Sequence, residues 1–500
     1  MGVGLSSRSF RSTSVAIAVV LACAGTGLIL AASAAVAVPT AGPALHDDFN
    51  GDGYADLAIG APKSNNGGGA VSVLHGSAGG FSTQRKQVVA LPDPEGSDTR
   101  TTAFGTALQS ADVDGDGYAD LISPVHYSSV GMEPGWRMAI TWGGPQGLSA
   151  EPERIPYLPP GSWNDVFQFK GAAVGDLDGD GHPDLALLDV IGTGDETERH
   201  DVTIMHGPFS RDEKPARIST SELGADVAVI GPAAAGDVNG DGVDDLAVGT
   251  QLTGERDPRG VTLLTGGSAG LTERSALKDA QGNVIGGEDI EIGDLDNDGY
   301  EDIVVGHSID HHESDAWLPT KGGAVAAVYG GPGGLSTTRK PVWINQATTG
   351  VPGTAERGDG MGSAVSIGDT NGDGYPDVAT GLPGEDLDSV LNAGSVLVLK
   401  GSASGLTGSG AKAFSQRTSG VPGTAESQDR FASETALADG DGDKKYGLVV
   451  GDPDENAGKG AVWVFAANST GITATGSFSF GGATLGAPST AARFGASLAE

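Results

Sequence analysis

The chain has 500 residues, a formal net charge of −36, 38% hydrophobic residues, 83 glycines and one cysteine. So large a negative charge excludes nucleic acid and anionic membrane surfaces as partners, because both attract basic patches. The apolar fraction is too high for a disordered chain and the glycines keep no collagen period, which leaves a turn-rich all-β protein.

Residues 1–37 read as an export signal. Arg8 and Arg11 form a short basic start, Val15 to Leu30 is apolar, and Ala35-Val36-Ala37 offers a small-residue cleavage site. Two other readings of this stretch are a membrane anchor and a lipidated Cys23. Gly25, Gly27 and the alanine content speak against the first; the apolar run continuing past Cys23 speaks against the second. Removal of the signal leaves a secreted or loosely cell-associated chain with no cysteine, no disulfide and no stable membrane insertion. Residues 38–45 are a short linker, and 46–500 carry the repeats.

One nonapeptide recurs: Asp or Asn at alternating places, then glycine, then aspartate. It begins at Asp48, Asp112, Asp176, Asp237, Asp294 and Asp369, at steps of 64, 64, 61, 57 and 75 residues. A seventh copy at Asp439 is damaged, with Lys444 in place of the glycine and Gly447 in place of the last aspartate. Upstream of several copies stands an aromatic-glycine pair or its variant (Phe104-Gly105, Met361-Gly362, Phe431-Ala432). Downstream comes an apolar run ending in a turn, such as Leu57 to Pro62 or Val378 to Pro383. After a variable loop follows an alternating segment such as Ala70 to Leu74, then a glycine turn and one more extended segment. These runs are too short for helices and are bounded by Gly, Pro and Asn, so they predict strands. Four strands per repeat of about 65 residues predict a blade of a β-propeller.

Phe494 to Glu500 repeats the upstream segment without a loop after it, while the first loop lacks that segment. A ring closed by the C-terminal strand accounts for both, removes free sheet edges and gives seven blades.

Alternating carboxylates on a tight loop converge on one point, as calcium requires of its six to eight oxygen ligands. The expected side-chain ligands are Asp48, Asn50, Asp52 and Asp56; Asp112, Asp114, Asp116 and Asp120; Asp176, Asp178, Asp180 and Asp184; Asp237, Asn239, Asp241 and Asp245; Asp294, Asp296, Asp298 and Asp302; Asp369, Asn371, Asp373 and Asp377; and, in the damaged copy, Asp439, Asp441 and Asp443. The carbonyls of Tyr54, Tyr118, His182, Val243, Tyr300 and Tyr375 complete the six intact sets. An EF-hand would place glutamate at the twelfth position, where Ile59, Ser123, Leu187, Val248, Val305 and Thr380 stand, so that reading fails. About six structural calcium sites are expected, with the seventh degenerate.

Phe-Gly, the Asp-x-Asp/Asn-x-Asp-Gly-x-x-Asp loop and Gly-Ala-Pro together resemble the FG-GAP (VCBS-like) repeat of the integrin α-chain propeller and its secreted bacterial relatives. The resemblance implies seven blades, calcium in the loops of one face, and adhesion or ligand binding. It is weaker in repeats three to five, where Phe169-Lys170, Val229-Ile230 and Ile285-Gly286 stand near the Phe-Gly place.

The long variable loops leave the opposite face, the default binding surface for an extracellular protein or carbohydrate. Its aromatic candidates are His126, Tyr127, Trp136, Trp163 and Trp317, set against the alternative that they cover blade edges. His307, Asp310, His311, His312, Glu313 and Asp315 form a metal-like cluster that reads better as a solvated loop. Gly266 to Gly270 spells a nucleophile elbow, and Arg357-Gly358-Asp359 an adhesion tripeptide. Both sit in blade turns or linkers and read as coincidence. The leading expectation is a non-enzymatic binding or adhesion propeller; the alternative is a secreted hydrolase or lyase with its site at the mouth of the ring.

Overall fold

A computed structural model describes Leu45 and residues 47–91, 99–129, 132–155, 166–192, 199–211, 217–223, 227–252, 259–272, 274–310, 321–488 and 490–499. The export signal, Trp163, Trp317 and His311 to Asp315 lie outside these residues. No helix among them is long and apolar enough to cross a membrane.

The described residues fold into seven antiparallel sheets, six of four strands and the second of five, beside one two-stranded ribbon. The protein is an all-β, seven-bladed propeller. The first blade uses both ends of the chain: Leu57–Ala61, Ala70–Leu74 and Lys86–Ala90 are joined by Leu498–Ala499. That last strand runs antiparallel to the first, with Ala499 opposite Ala58 and Leu498 opposite Ile59. The third blade comprises Val166–Gly175, Asp184–Gly192, Arg199–His206 and Arg217–Glu222. The fourth comprises Val227–Gly236, Asp245–Leu252, Arg259–Leu264 and Arg274–Ala276. First strands of neighbouring blades pack on one another around the axis.

Second and third strands are buried on both sides, as in Leu57–Ala61 and Ala70–Leu74, because each blade is sandwiched between two others. This is why their sequences run continuously apolar where a half-exposed strand would alternate. Seven apolar clusters lie between successive sheets and share no residue, so the core is a ring of interfaces.

The aromatic-glycine pairs are the joints of that ring. Phe104, Met361, Phe431 and Phe494 are fully buried and form parallel bridges to Gly69, Gly323, Gly394 and Gly460 of the preceding blade. Each of those glycines has positive φ, and a Cβ on it would overlap the partner's carbonyl oxygen. Only glycine satisfies both demands. In the seventh blade Ala432 takes the second place of the pair and is held at φ 68°, a left-handed strain that glycine avoids in its counterparts.

Strand register shows where this joint fails. Gly69 precedes Ala70, the partner of Ala61, five residues past the last loop aspartate. The same count reaches Trp136 in the second blade, His200 in the third and Arg259 in the fourth. Three consecutive blades therefore carry large side chains where four others have glycine. First strands that follow, Val166–Gly175 and Val227–Gly236, are ten residues long and each departs from regular register against its neighbour.

Candidate metal-binding loops and the opposite face

Each nonapeptide wraps its backbone around its first aspartate. In the second loop Asp112 Oδ1 accepts from the N–H groups of Gly115 at 2.8 Å and Asp116 at 3.0 Å, and Oδ2 from Gly117 at 2.9 Å. The same three acceptances recur at Asp48, Asp176, Asp237 and Asp369. Asp294 accepts from Asp298 and Gly299. The alternating residues are thereby brought to the inside of one turn, with positive φ on either side of the fifth residue, taken by glycines as at Gly115 and Gly117 and, before the fifth residue of the loop at Asp294, by Asn297. The damaged loop keeps the wrap: Lys444 donates to Asp439 Oδ2 at 2.9 Å, though its φ of 65° is one a side chain rarely takes.

The last aspartate has a second role that its ligand spacing does not announce. Asp56, Asp120, Asp184, Asp245, Asp302 and Asp377 are all at most 1% exposed. One oxygen of each accepts from the N–H of a glycine one or two residues past the third strand, namely Gly76, Gly143, Gly207, Gly266, Gly330 and Gly401, at 2.8 to 3.1 Å. These aspartates clamp loop to blade and leave one oxygen facing the loop. Gly447 has no such clamp to offer.

Carboxylate oxygens converge to within 4.8 Å at Asp112, Asp114 and Asp120; at Asp176, Asp178 and Asp180; at Asp294, Asp296 and Asp302; and at Asp439, Asp441 and Asp443. Burial raises Asp120, Asp184 and Asp302 to about 7 and Asp245 to about 6, with neighbouring loop carboxylates adding to the effect. Asp178 Oδ1, Asp184 Oδ2 and Asp245 Oδ2 are buried without a hydrogen-bond partner. Buried acceptors of this kind call for a cation.

Basic side chains answer that demand unequally. Arg211, lying over the Trp142 ring at 5.3 Å, reaches Asp114 at 2.8 Å and Asp116 at 2.6 Å, and Arg339, over Tyr329, meets Asp296. Both arginines stand outside the strands, and their side chains are partly exposed, Arg211 at 46% and Arg339 at 30%. In the sixth loop Lys400 Nζ lies 2.6 Å from Asp377 Oδ2 and 3.1 Å from Thr370 Oγ1. In the first, His75 Nδ1 lies 2.9 Å from Asp56 Oδ2. Here the free oxygen of the clamping aspartate is already taken. The fourth loop, at Asp237, has no basic partner among the described residues. The loops at Asp112, Asp176, Asp237 and Asp294 thus fit a divalent ion, whereas the free oxygen of Asp56 already faces the His75 imidazole and that of Asp377 the Lys400 ammonium.

Sequence reasoning missed His75, His206 and Lys400, although each stands directly before the clamping glycine and could have been found by aligning that glycine. On the opposite face His126 and Trp136 are cross-strand partners, with ring centroids 5.2 Å apart, and Trp136 meets Phe169 of the third blade at 5.7 Å. Tyr127 lies in the same strand, opposite Gly135. Asp359 of the Arg-Gly-Asp spelling is 2% exposed, and its carboxylate accepts from Glu356 N–H at 2.6 Å, so the aspartate is turned inward while Arg357 and Gly358 are exposed.

The FG-GAP repeat family matches residues 44–74, 104–130, 233–262 and 361–399. Among curated proteins, human integrin α-6 is 36% identical over 120 residues, 24% of this chain and 9% of its own length. Bovine phosphatidylinositol-glycan-specific phospholipase D is 31% identical over 183 residues, 35% of this chain and 20% of its own length. The chain therefore spans a fifth or less of these two relatives. Among solved structures, the rhamnogalacturonan lyase YesW aligns over 87% of this chain and 70% of its own, at 14% identity and a TM-score of 0.37. Four stretches of the chain match the FG-GAP repeat, and over about a quarter of its length the chain is similar to human integrin α-6.

Proposed function

We propose that the protein is an extracellular binding module whose loops hold structural calcium and whose opposite face takes a protein or carbohydrate ligand. One observation carries the reading: at the blade ends away from the loops, Trp136, His200 and Arg259 replace the joint glycine in three successive blades. Two of these replaced joints, at His200 and Arg259, border a polar cleft of about 410 Å³ that is also lined by Lys170, Pro232, Gln251 and Glu288. Glu288 fixes the Arg259 guanidinium by an ion pair and itself accepts from Ser308 N–H at 2.8 Å. Its fixed charges leave the cleft net positive on a chain of net charge −36, a local field that favours an anionic group. Acidic side chains, meanwhile, are concentrated in the loops of the other face. Calcium, where bound, would be held by the oxygen sets at Asp112, Asp237 and Asp294, replacing like-charge repulsion with a cross-link.

The test is a binding screen of the full chain against acidic and neutral glycans and extracellular matrix proteins, with product analysis of every carbohydrate bound. Saturable binding weakened at least about tenfold by Arg259→Gln is expected, on the scale of a lost charged hydrogen bond. Catalytic depolymerisation of a bound glycan would instead establish the hydrolase or lyase reading.

A further inference from the structure

The third loop differs from the others in what faces its carboxylates. His206, the last residue of the strand Arg199–His206, is 2% exposed. Its Nδ1 stands 3.0 Å from Asp178 Oδ2 and 3.3 Å from Asp184 Oδ2. Its Nε2 is 2.8 Å from Ser219 Oγ on the neighbouring strand. These two aspartates and the imidazole offer ligand atoms within 4.8 Å of one another, and all three residues are buried. Of the oxygens in the same space, Asp178 Oδ1 and Asp184 Oδ2 have no hydrogen-bond partner.

The hydrogen-bond network assigns the tautomer. Arg217 Nη2 lies 2.9 Å from Nδ1, and a guanidinium can only donate, so Nδ1 accepts and the ring proton sits on Nε2 toward Ser219. A nitrogen lone pair therefore points at two carboxylates, an arrangement that is repulsive unless a cation lies between them. Arg217 is that cation in part: it bridges Nδ1 and Asp178 but is half exposed and leaves Asp184 Oδ2 unanswered.

We propose that the third loop is a mixed imidazole–carboxylate site for a divalent transition ion of the zinc or cobalt class, with His206 Nδ1, Asp178 and Asp184 as ligands. Two chemical facts select the ion. Calcium is a hard cation that takes oxygen, whereas imidazole nitrogen suits zinc and its neighbours. And the far ring nitrogen is already held by Ser219, the outer hydrogen bond that fixes the tautomer and orientation of a metal-ligating histidine. The first loop lacks this combination, since His75 Nδ1 meets a single carboxylate, Asp56. The sixth has an ammonium in the same place, which cannot ligate. The proposal rests on the loops being metal sites, and the experiment separates the two claims.

The full chain, saturated with calcium, is titrated with zinc by calorimetry and with cobalt by visible absorption. One further equivalent of zinc should bind at least about tenfold tighter than calcium, and cobalt should develop one set of ligand-field bands. His206→Gln should remove the zinc equivalent and the bands while leaving calcium stoichiometry unchanged. Ser219→Ala, which touches no ligand atom, should weaken zinc about tenfold, as loss of such an outer partner does. Arg217→Gln removes the competing cation and should tighten zinc, a gain that misfolding cannot mimic. Zinc that merely competes with calcium at equal affinity, or a His206→Gln variant that keeps the zinc equivalent, overturns the proposal while leaving the calcium sites intact. Failure to bind either metal overturns both.

Discussion

Removal of calcium should lower the melting temperature by several degrees. At calcium ten times above Kd, each site stabilises the folded chain by about 1.4 kcal/mol, so the three oxygen-only loops at Asp112, Asp237 and Asp294 contribute roughly 4 kcal/mol. An unfolding entropy of about 2.1 cal/mol/K per residue over the propeller turns this into about 4 °C. Scanning calorimetry with and without a calcium chelator measures it, and coincident curves would exclude a structural role for the ion.

That increment depends on pH in a direction fixed by the buried carboxylates. Without metal, burial holds Asp120 and Asp302 at about 7 and Asp245 at about 6, above the value each has in the unfolded chain. A raised folded pKa means that protons bind the folded state more tightly, so stability is full below about pH 4 and declines as pH rises through 6 and 7. The chelated protein should therefore melt higher at pH 5 than at pH 8. Calcium binds the ionised form, so its stabilising increment should be larger at pH 8. An increment that shrinks between pH 5 and pH 8 would show that these carboxylates do not hold the ion.

Lys400 gives the loops an internal comparison. If its ammonium stands for the ion at Asp377, Lys400→Met should raise the bound-calcium count by one, and unchanged stoichiometry by equilibrium dialysis would refute it. The reverse substitution of charge is already present in the damaged loop, where Lys445 pairs with Asp443 at 2.8 Å and no clamping aspartate remains.

Blade number, strand order and the loop residues were legible because each is a local pattern repeated in register. The wrap around the first aspartate involves residues three to five places away, so one copy suffices to read it. What was hidden depends on pairing across longer distances. Lys400 meets Asp377 only because the third strand returns antiparallel to the second, and Trp136, His200 and Arg259 become equivalent only once strand partners are known. The weak Phe-Gly places of repeats three to five, visible as mere irregularity in sequence, coincide in space with those three residues. A replaced joint glycine and an incomplete Phe-Gly pair are the two halves of one altered joint. Asp359 shows the converse: a familiar tripeptide loses its meaning once its carboxylate is seen to be buried.

The joints also set the second large effect. Phe494 is fully buried, bridges Gly460 of the seventh blade, and opens the segment whose Ser497 carbonyl accepts from Gly60 at 2.9 Å in the first. Truncation of a buried phenylalanine costs about 3–5 kcal/mol, so Phe494→Ala should lower the melting temperature by roughly 3–5 °C. Gly69→Ala attacks the glycine half of the next joint: the methyl would overlap the Phe104 carbonyl at a φ of 88°, for about 2–5 kcal/mol. Gly333 has neither positive φ nor any atom within 4 Å of where a Cβ would stand, so Gly333→Ala should lie within about 0.5 kcal/mol of the parent. Denaturant unfolding of the three variants decides the matter. If Phe494→Ala and Gly69→Ala proved as mild as Gly333→Ala, the aromatic-glycine pairs would not be what holds blade to blade.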